Sequence, residues 1–284
     1  TYCVIPQLRG RYRSRKMEDI LREAEGLALQ GVKELIVIAQ DTTRYGFDLY
    51  GEYRLARLLR ALAKIEGIHW IRVHYLYPEV ITEELIETFR SEPKLVKYMD
   101  IPIQHCNDEV LKRMGRHSGK QQLYSLLNGL KEQIPELILR TSLIAGFPGE
   151  TEEQFEELLQ FVRDMEFDRL GAFAYSQEEG TPAAKLPEQL DEAVKAERAE
   201  KILAVQREIS EKKQREKLGK TYEVLTEGYD PDNLMYYGRT YGDSIDIDTT
   251  TYFAAQEEVP EGSFVLVKIL DADEYDLTGE RVQS

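Results

Sequence analysis

Cysteine and histidine are scarce in this chain: its 284 residues include two cysteines, Cys3 and Cys106, and four histidines. Two thiols are too few for a disulfide framework, and neither is flanked by a partner at CxxC or HxxxH spacing, so the sequence holds no complete metal site. Long apolar runs are missing too. No stretch of roughly 18 nonpolar residues and no charged-then-apolar leader is present, which leaves no support for a membrane span or a secretory signal and gives the composition a cytoplasmic style.

What is present suffices for a folded core, since 42% of the residues are apolar and a chain of this length forms one large α/β domain or a large domain with a small appendage. The net charge of −15 is unevenly spread. From Gly219 onward there are 4 Lys or Arg against 15 Asp or Glu. Such a surface repels phosphate backbones and attracts basic partners, or serves only to keep a solvated face soluble.

A helix, a glycine or other break, and a short apolar strand recur along the first part. "MEDILREAEGLALQGVKELIVIAQDT" is the first such unit, and "LARLLRALAKIEGIHWIRVHYLYP", "ITEELIETFRSEPKLVKYMDIPIQHC", "QQLYSLLNGLKEQIPELILRTSLIAGFPG" and "TEEQFEELLQFVRDMEFDRLGAFAYSQ" follow. This alternation predicts five parallel strands with helices on the outer face, an α/β fold in the form of a partial, open βα barrel. The polar residues of each unit gather at the C-terminal end of its strand, the rim where barrels of this kind build their sites. The expected division is residues 1–185 for this barrel, 186–218 for a charged connecting helix with an apolar stripe of Ile202, Leu203, Val205 and Ile209, and 219–284 for a small all-β barrel. Its strands are expected in "KTYEVLTEGY", "NLMYYGRTYG", "SIDIDTTTYF" and "SFVLVKILDADEYDLTGERV".

Several rim residues could carry chemistry. Gln40 and Asp41 end the first strand, where they could contact a ligand or merely cap and turn. Gly146 and Gly149 in "GFPGE" permit close backbone approach at a strand-to-helix turn, with Glu150 or Thr151 capping the next helix. Arg140 and Ser142 lie on an otherwise apolar strand, and a buried arginine needs an anion: a bound carboxylate, or an acid from a neighbouring strand. His105 is read as a hydrogen-bonding or packing residue and Cys106 as structural. Arg9, Arg11, Arg13 and Arg15 could steer an acidic ligand or pair with the acids of the following helix.

Cys3 gains meaning from its context. "CVIPQLRGRYRSR", "IAQDTTRYG", "DIPIQHCNDEVLKRMGR", "RTSLIAGFPGETEEQFEEL" and "FAYSQEEGTPAA" together resemble the methylthiotransferases of the radical S-adenosylmethionine (SAM) enzymes, and the C-terminal part resembles a TRAM-type barrel. The nearest subgroup methylthiolates the β-carbon of an aspartate in the twelfth small-subunit ribosomal protein; the tRNA-adenosine branch is the alternative. The resemblance implies S-adenosylmethionine, two 4Fe-4S clusters in the full-length enzyme, Cys3 as the third cysteine of a CxxxCxxC loop whose first two precede Thr1, and a further N-terminal domain. It implies cofactor contacts from Gln40, Asp41, Arg140, Ser142, Gly146 and Gly149. Arg9, Arg11, Tyr175, Asp273 and Glu274 are candidates for contact with a basic ribosomal protein. Nucleic acid is disfavoured by the acidic tail, a monomer is expected, and the stretch by itself would be an inactive binding module, because one thiolate does not fix a cluster.

Overall fold

The computed structural model describes residues 1–283. After a one-turn helix α1 (Ile5–Arg9), the large unit runs α2 (Met17–Leu29), β1 (Glu34–Val37), α3 (Phe47–Tyr50), α4 (Leu55–Ala63), β2 (Trp70–Val73), α5 (Glu83–Ser91), β3 (Leu95–Asp100), α6 (Asp108–Met114), α7 (Lys120–Gln133), β4 (Ile138–Ala145), α8 (Glu152–Met165) and β5 (Arg169–Ala174). The five strands pair in parallel in the order β1-β2-β3-β4-β5, leaving an open sheet with β1 and β5 at its edges. The predicted open barrel of five parallel strands is the fold observed.

Alternation along β4 shows how the sheet divides the chain. Leu139, Leu143 and Ala145 face the helices and are fully buried with Leu58, Phe89, Leu127, Phe155 and Phe161. Ile138, on the opposite face, packs with Trp70, Val96 and Tyr98 against Leu225 and Phe264 from the C-terminal part. A strand sends successive side chains to opposite faces, so one outer core and one inner surface follow directly. Thr82, Asn107 and Thr151 cap α5, α6 and α8 through side-chain oxygens that accept from backbone N–H groups, which sets the start of each helix.

Helix α9 (Glu192–Arg215) lies along β5. Ile202 and Ile209 of its stripe are buried and Val205 is partly so, but Leu203 is exposed. The helix buries Lys195, Arg198, Gln206 and Gln214 instead, each with a protein partner: Glu192, Glu150, the Phe167 carbonyl and the Tyr275 carbonyl.

The C-terminal part forms a closed barrel of β6 (Thr221–Asp230), β7 (Met235–Thr240), β8 (Thr251–Ala254), β9 (Phe264–Ala272) and β10 (Leu277–Val282), in the order β10-β8-β7-β6-β9. One expected strand is shorter than its segment, since β8 takes only the end of "SIDIDTTTYF". "SIDID" alternates like a strand, yet residues 244–248 form turns, with Ile245 and Ile247 exposed and the Asp248 carboxylate 1% exposed. The apolar side chains point outward because Asp243 and Asp248 of this loop are drawn inward by Arg169 and Arg140 of the large barrel.

Candidate active site

The inner surface of the large barrel is charged. Arg72 is fully buried and donates to Glu34 at 2.7 Å and to the Tyr241 carbonyl at 2.8 Å. Glu34 also accepts from Arg239 at 2.7 Å. One layer higher, Arg140 donates to Asp248 at 2.8 Å and lies 3.6 Å from Asp100, while Arg169 donates to Asp243 and Thr249. Burial alone would push the Asp243 carboxyl up, but Arg169, Lys217 and the hydroxyls of Thr240 and Thr249 outweigh it and hold it well below the ordinary carboxylate range. The 241–250 loop of the small barrel therefore forms a floor across the large barrel's interior.

Above this floor, the C-terminal ends of β3, β4 and β5 surround a cavity of about 300 Å³ lined by Tyr2, Gln104, Ser142, Ile144, Phe173 and Tyr175, with Ser176 and Glu178 at its edge. Gln104 adopts a left-handed backbone (φ 71°). Its N–H donates to the Ser142 carbonyl at 2.9 Å, and its carbonyl accepts from Ile144 at 2.8 Å. The Tyr175 ring is buried against Phe147, and its hydroxyl has no hydrogen-bond partner. A mouth lined by aromatic residues and by Gln104 and Ser142 fits a ligand that combines a flat ring with polar groups.

The sequence candidates divide on inspection. Ser142 and Tyr175 line the cavity. Gln40 is exposed at the end of β1, whereas the Asp41 carboxylate is taken up by the Thr43 hydroxyl and by Arg44 at 2.9 Å, with burial pushing it up. Arg140 finds its anion in Asp248 and Asp100, so the acid from within the protein answers its charge. Gly146 and Gly149 both have φ 74°, and a Cβ there would meet Lys195 Cγ at 2.5 Å or Arg113 Nη1 at 2.3 Å. These glycines make room for α9 and α6. The Gly146 N–H is also committed, donating to Glu150 at 3.0 Å.

Glu150 is the hub of that loop. It accepts from Arg198 at 2.7 Å and lies 3.3 Å from Nε2 of the fully buried His105. Burial works against its charge, yet His105, Gly146 and Arg198 hold its carboxyl below the ordinary value. His105 Nδ1 accepts from the Asn107 N–H at 3.0 Å, which places the ring proton on Nε2, toward Glu150. His105 and Glu150 therefore shape the loop from behind.

Cys3 is exposed beside Tyr2, and Thr1 is tied to the Met114 and Arg113 carbonyls at 2.9 Å. Cys106 is fully buried, and burial, followed by the charge of Glu157, pushes its thiol up. Among the described residues no group of three His, Cys, Asp or Glu could hold a metal ion. One exposed thiol does not fit the three-thiolate requirement of a cluster. Arg9 and Arg11 are exposed without an ion pair among the described residues, while Arg15 pairs with Glu23 at 2.6 Å. Asp273 accepts from the N–H groups of its own turn, and Glu274 lies 3.4 Å from Arg207 of α9. No contact among the described residues links these two acids to the rim.

Gln104, Tyr75 and the pair Asp243 and Asp248 are the features that sequence reasoning passed over. The left-handed angles of the first two leave no mark in sequence, and "DSIDID" looked like solvent-facing acid. No helix of the described residues is long and apolar enough to cross a membrane.

Comparison with known proteins agrees with this architecture. The model of the radical SAM superfamily matches residues 1–162, and that of the TRAM domain matches residues 218–282. A curated relative from Clostridioides difficile, ribosomal protein uS12 methylthiotransferase RimO, is 54% identical over 280 residues, covering 99% of this chain and 63% of its own length. The protein of the same name from Acetivibrio thermocellus is 53% identical over 280 residues, covering 99% and 62%. The chain thus spans somewhat less than two thirds of the length of these relatives. Superfamily membership implies a 4Fe-4S cluster and S-adenosylmethionine as cofactors. With more than half its length matched by that model and its open parallel barrel in place, the chain belongs to the radical SAM superfamily.

Proposed function

We propose that this chain is the barrel and TRAM portion of a methylthiotransferase that adds a methylthio group to the β-carbon of an aspartate in ribosomal protein uS12. The observation that carries this reading is the identity of more than half over nearly the whole chain to relatives bearing that name. The charge pattern supports it. Although Asp243 and Asp248 are spent inside, Asp232, Glu257, Glu258 and Glu261 remain exposed on the small barrel. Arg239, one of its few cations, is itself buried against Glu34 and Glu227. A basic ribosomal protein complements such a surface, whereas a phosphate backbone does not.

In this reading S-adenosylmethionine takes the rim cavity, with Gln104 and Ser142 as polar contacts and Tyr175 in its wall, while Gln40 stands after β1 at the opposite edge of the sheet. When bound, it would supply radical chemistry at an unactivated C–H bond. The chain's own part is to orient and to exclude water: Glu150, Arg198 and His105 fix the Gly146 loop, and the acidic floor closes the barrel from below. The full-length enzyme is read as carrying two clusters, with Cys3 contributing to one of them. Reconstituted full-length protein, incubated under reducing conditions with uS12 and S-adenosylmethionine, is expected to add one methylthio mass to an aspartate. An unmodified uS12 refutes the assignment. The tRNA reading gains only from the exposed, unpaired Arg9 and Arg11, and tight, salt-sensitive tRNA binding would favour it.

A further inference from the structure

Two residues at the strand ends hold backbone angles that side chains other than glycine avoid, Tyr75 after β2 (φ 58°) and Gln104 after β3 (φ 71°). The other non-glycine residues with such angles, Glu136, Glu166, Glu188, Leu234 and Asp246, lie in helix caps, turns and loops. Strain of this kind persists only where the surroundings impose it, and it concentrates where a side chain must be aimed.

The constraint on Tyr75 can be followed outward. Its N–H donates to Asp100 Oδ2 at 3.2 Å, and its carbonyl accepts from the Thr42 N–H at 3.1 Å and hydroxyl at 3.0 Å. Asp100 is buried, and its other oxygen lies 3.6 Å from Arg140, whose guanidinium donates to Asp248 at 2.8 Å. Asp248 also accepts from the Tyr98 hydroxyl at 2.6 Å and from the Ser244 N–H at 2.9 Å. A second branch runs from the Ser244 hydroxyl to His74 Nε2 at 2.8 Å, and from His74 Nδ1 to Asp100 at 3.3 Å. Both branches start in the 241–250 loop of the small barrel and end on the carboxylate that holds Tyr75. Without Asp248, the full charge of Arg140 would fall on Asp100 and draw it from the Tyr75 N–H.

We propose that the small barrel is a working part of the large barrel's mouth: Asp248, acting through Arg140 and Asp100, is a positioning residue that holds Tyr75 on the rim as a side chain that meets the substrate. Tyr75 is 41% exposed and carries an aromatic ring of a kind suited to a lysine or arginine of a basic polypeptide. Exposed Phe173 and Ile38 end other strands of the same sheet. The substrate half of the proposal rests on the reading given above; the positioning half does not.

The full-length protein and its Asp248→Asn and Tyr75→Gly forms separate the two halves. In Asp248→Asn, amide exchange over residues 74–77 is expected to accelerate by about tenfold or more while α8 is unchanged; unaltered exchange at 74–77 overturns the positioning claim. Should that variant not fold, Ser244→Ala cuts only the His74 branch and is expected to give a smaller acceleration at the same segment, with no change again overturning the claim. Tyr75→Gly relieves the backbone strain, so it is expected to melt at a higher temperature while binding a synthetic Lys/Arg-rich uS12 peptide about tenfold more weakly, and Tyr75→Phe is expected to keep the binding. Higher stability with unchanged peptide binding makes Tyr75 purely structural and overturns the substrate half. If the wild-type protein does not bind the peptide, the functional reading fails and takes the substrate half with it; the exchange result decides the positioning half by itself.

Discussion

The Arg140 guanidinium donates to Asp248 Oδ1 at 2.8 Å, joining a strand of the large barrel to a loop of the small one 108 residues later in the chain. The Asp248 carboxylate is 1% exposed and that of Asp100, on the other side of the arginine, 4%. Removing one member of a buried pair leaves an uncompensated charge, so Asp248→Ala is expected to cost about 3 kcal/mol or more. The double change Asp248→Leu with Arg140→Met is expected to cost less than the sum of its parts, as measured by urea unfolding in a double-mutant cycle.

Gly146 and Gly51 share nearly the same positive φ, 74° and 73°, but differ in surroundings. A Cβ on Gly51 meets nothing within 4 Å, whereas one on Gly146 meets the Lys195 Cα at 3.0 Å as well as its side chain. Gly51→Ala, at a left-handed helix cap, should therefore cost only the conformational penalty of about 1 kcal/mol. Gly146→Ala should cost at least about 2 kcal/mol, because α9 must shift. Equal melting temperatures for the two variants would contradict the close-approach role.

Lys217 gives a pH signature. Burial, assisted by the charges of Arg169 and Lys213 and opposed by Asp243, lowers its ammonium to about 8 from 10.5. The folded protein gives up this proton before the unfolded chain does, so between about pH 8 and 10.5 the unfolded state binds more protons and this group's contribution to stability rises with pH. Lys217→Met is expected to gain stability over wild type at pH 7, and that advantage should shrink by pH 10. A pH-independent difference in unfolding free energy would rule this out.

The two thiols should behave differently toward alkylation. Cys3 is exposed, while Cys106 is fully buried and its thiol pushed up by burial. Iodoacetamide is expected to label Cys3 alone in the folded chain and both thiols in denaturant, as read by peptide mass mapping. Rapid native labelling of Cys106 would show that the core around α6 opens.

Trp70, the single tryptophan, reports on the junction of the two barrels. It is 5% exposed and packs edge-on against Phe264 of the small barrel, with ring centroids 4.8 Å apart. Its emission should be blue-shifted. Phe264→Ala should move it to longer wavelength and destabilise the protein by about 3 kcal/mol. An unchanged spectrum would mean that the ring stays dry without the small barrel.

The five βα units, the rim at their strand ends and the small β-barrel were legible in sequence, because amphipathic periods and glycine or proline breaks are local signals that survive in any context. Ser142 and Tyr175 were found at the rim for the same reason: strand order alone puts them there. What required the tertiary structure was the direction in which charge is used. Arg140 looked like a ligand for a cofactor carboxylate and "DSIDID" like solvent-facing acid, yet each neutralises the other, since a buried charge takes the opposite charge that the fold brings nearest. Gly146 and Gly149 looked like ligand approaches, and they make room for Lys195 and Arg113, contacts that depend on helices distant in the chain. The sequence by itself determined the elements and their order, through periodicity and turn chemistry. Only tertiary structure decided which polar groups face inward and pair with each other, leaving Tyr75, Gln104 and Tyr175 at the mouth, because pairing over a hundred residues depends on where the small barrel docks.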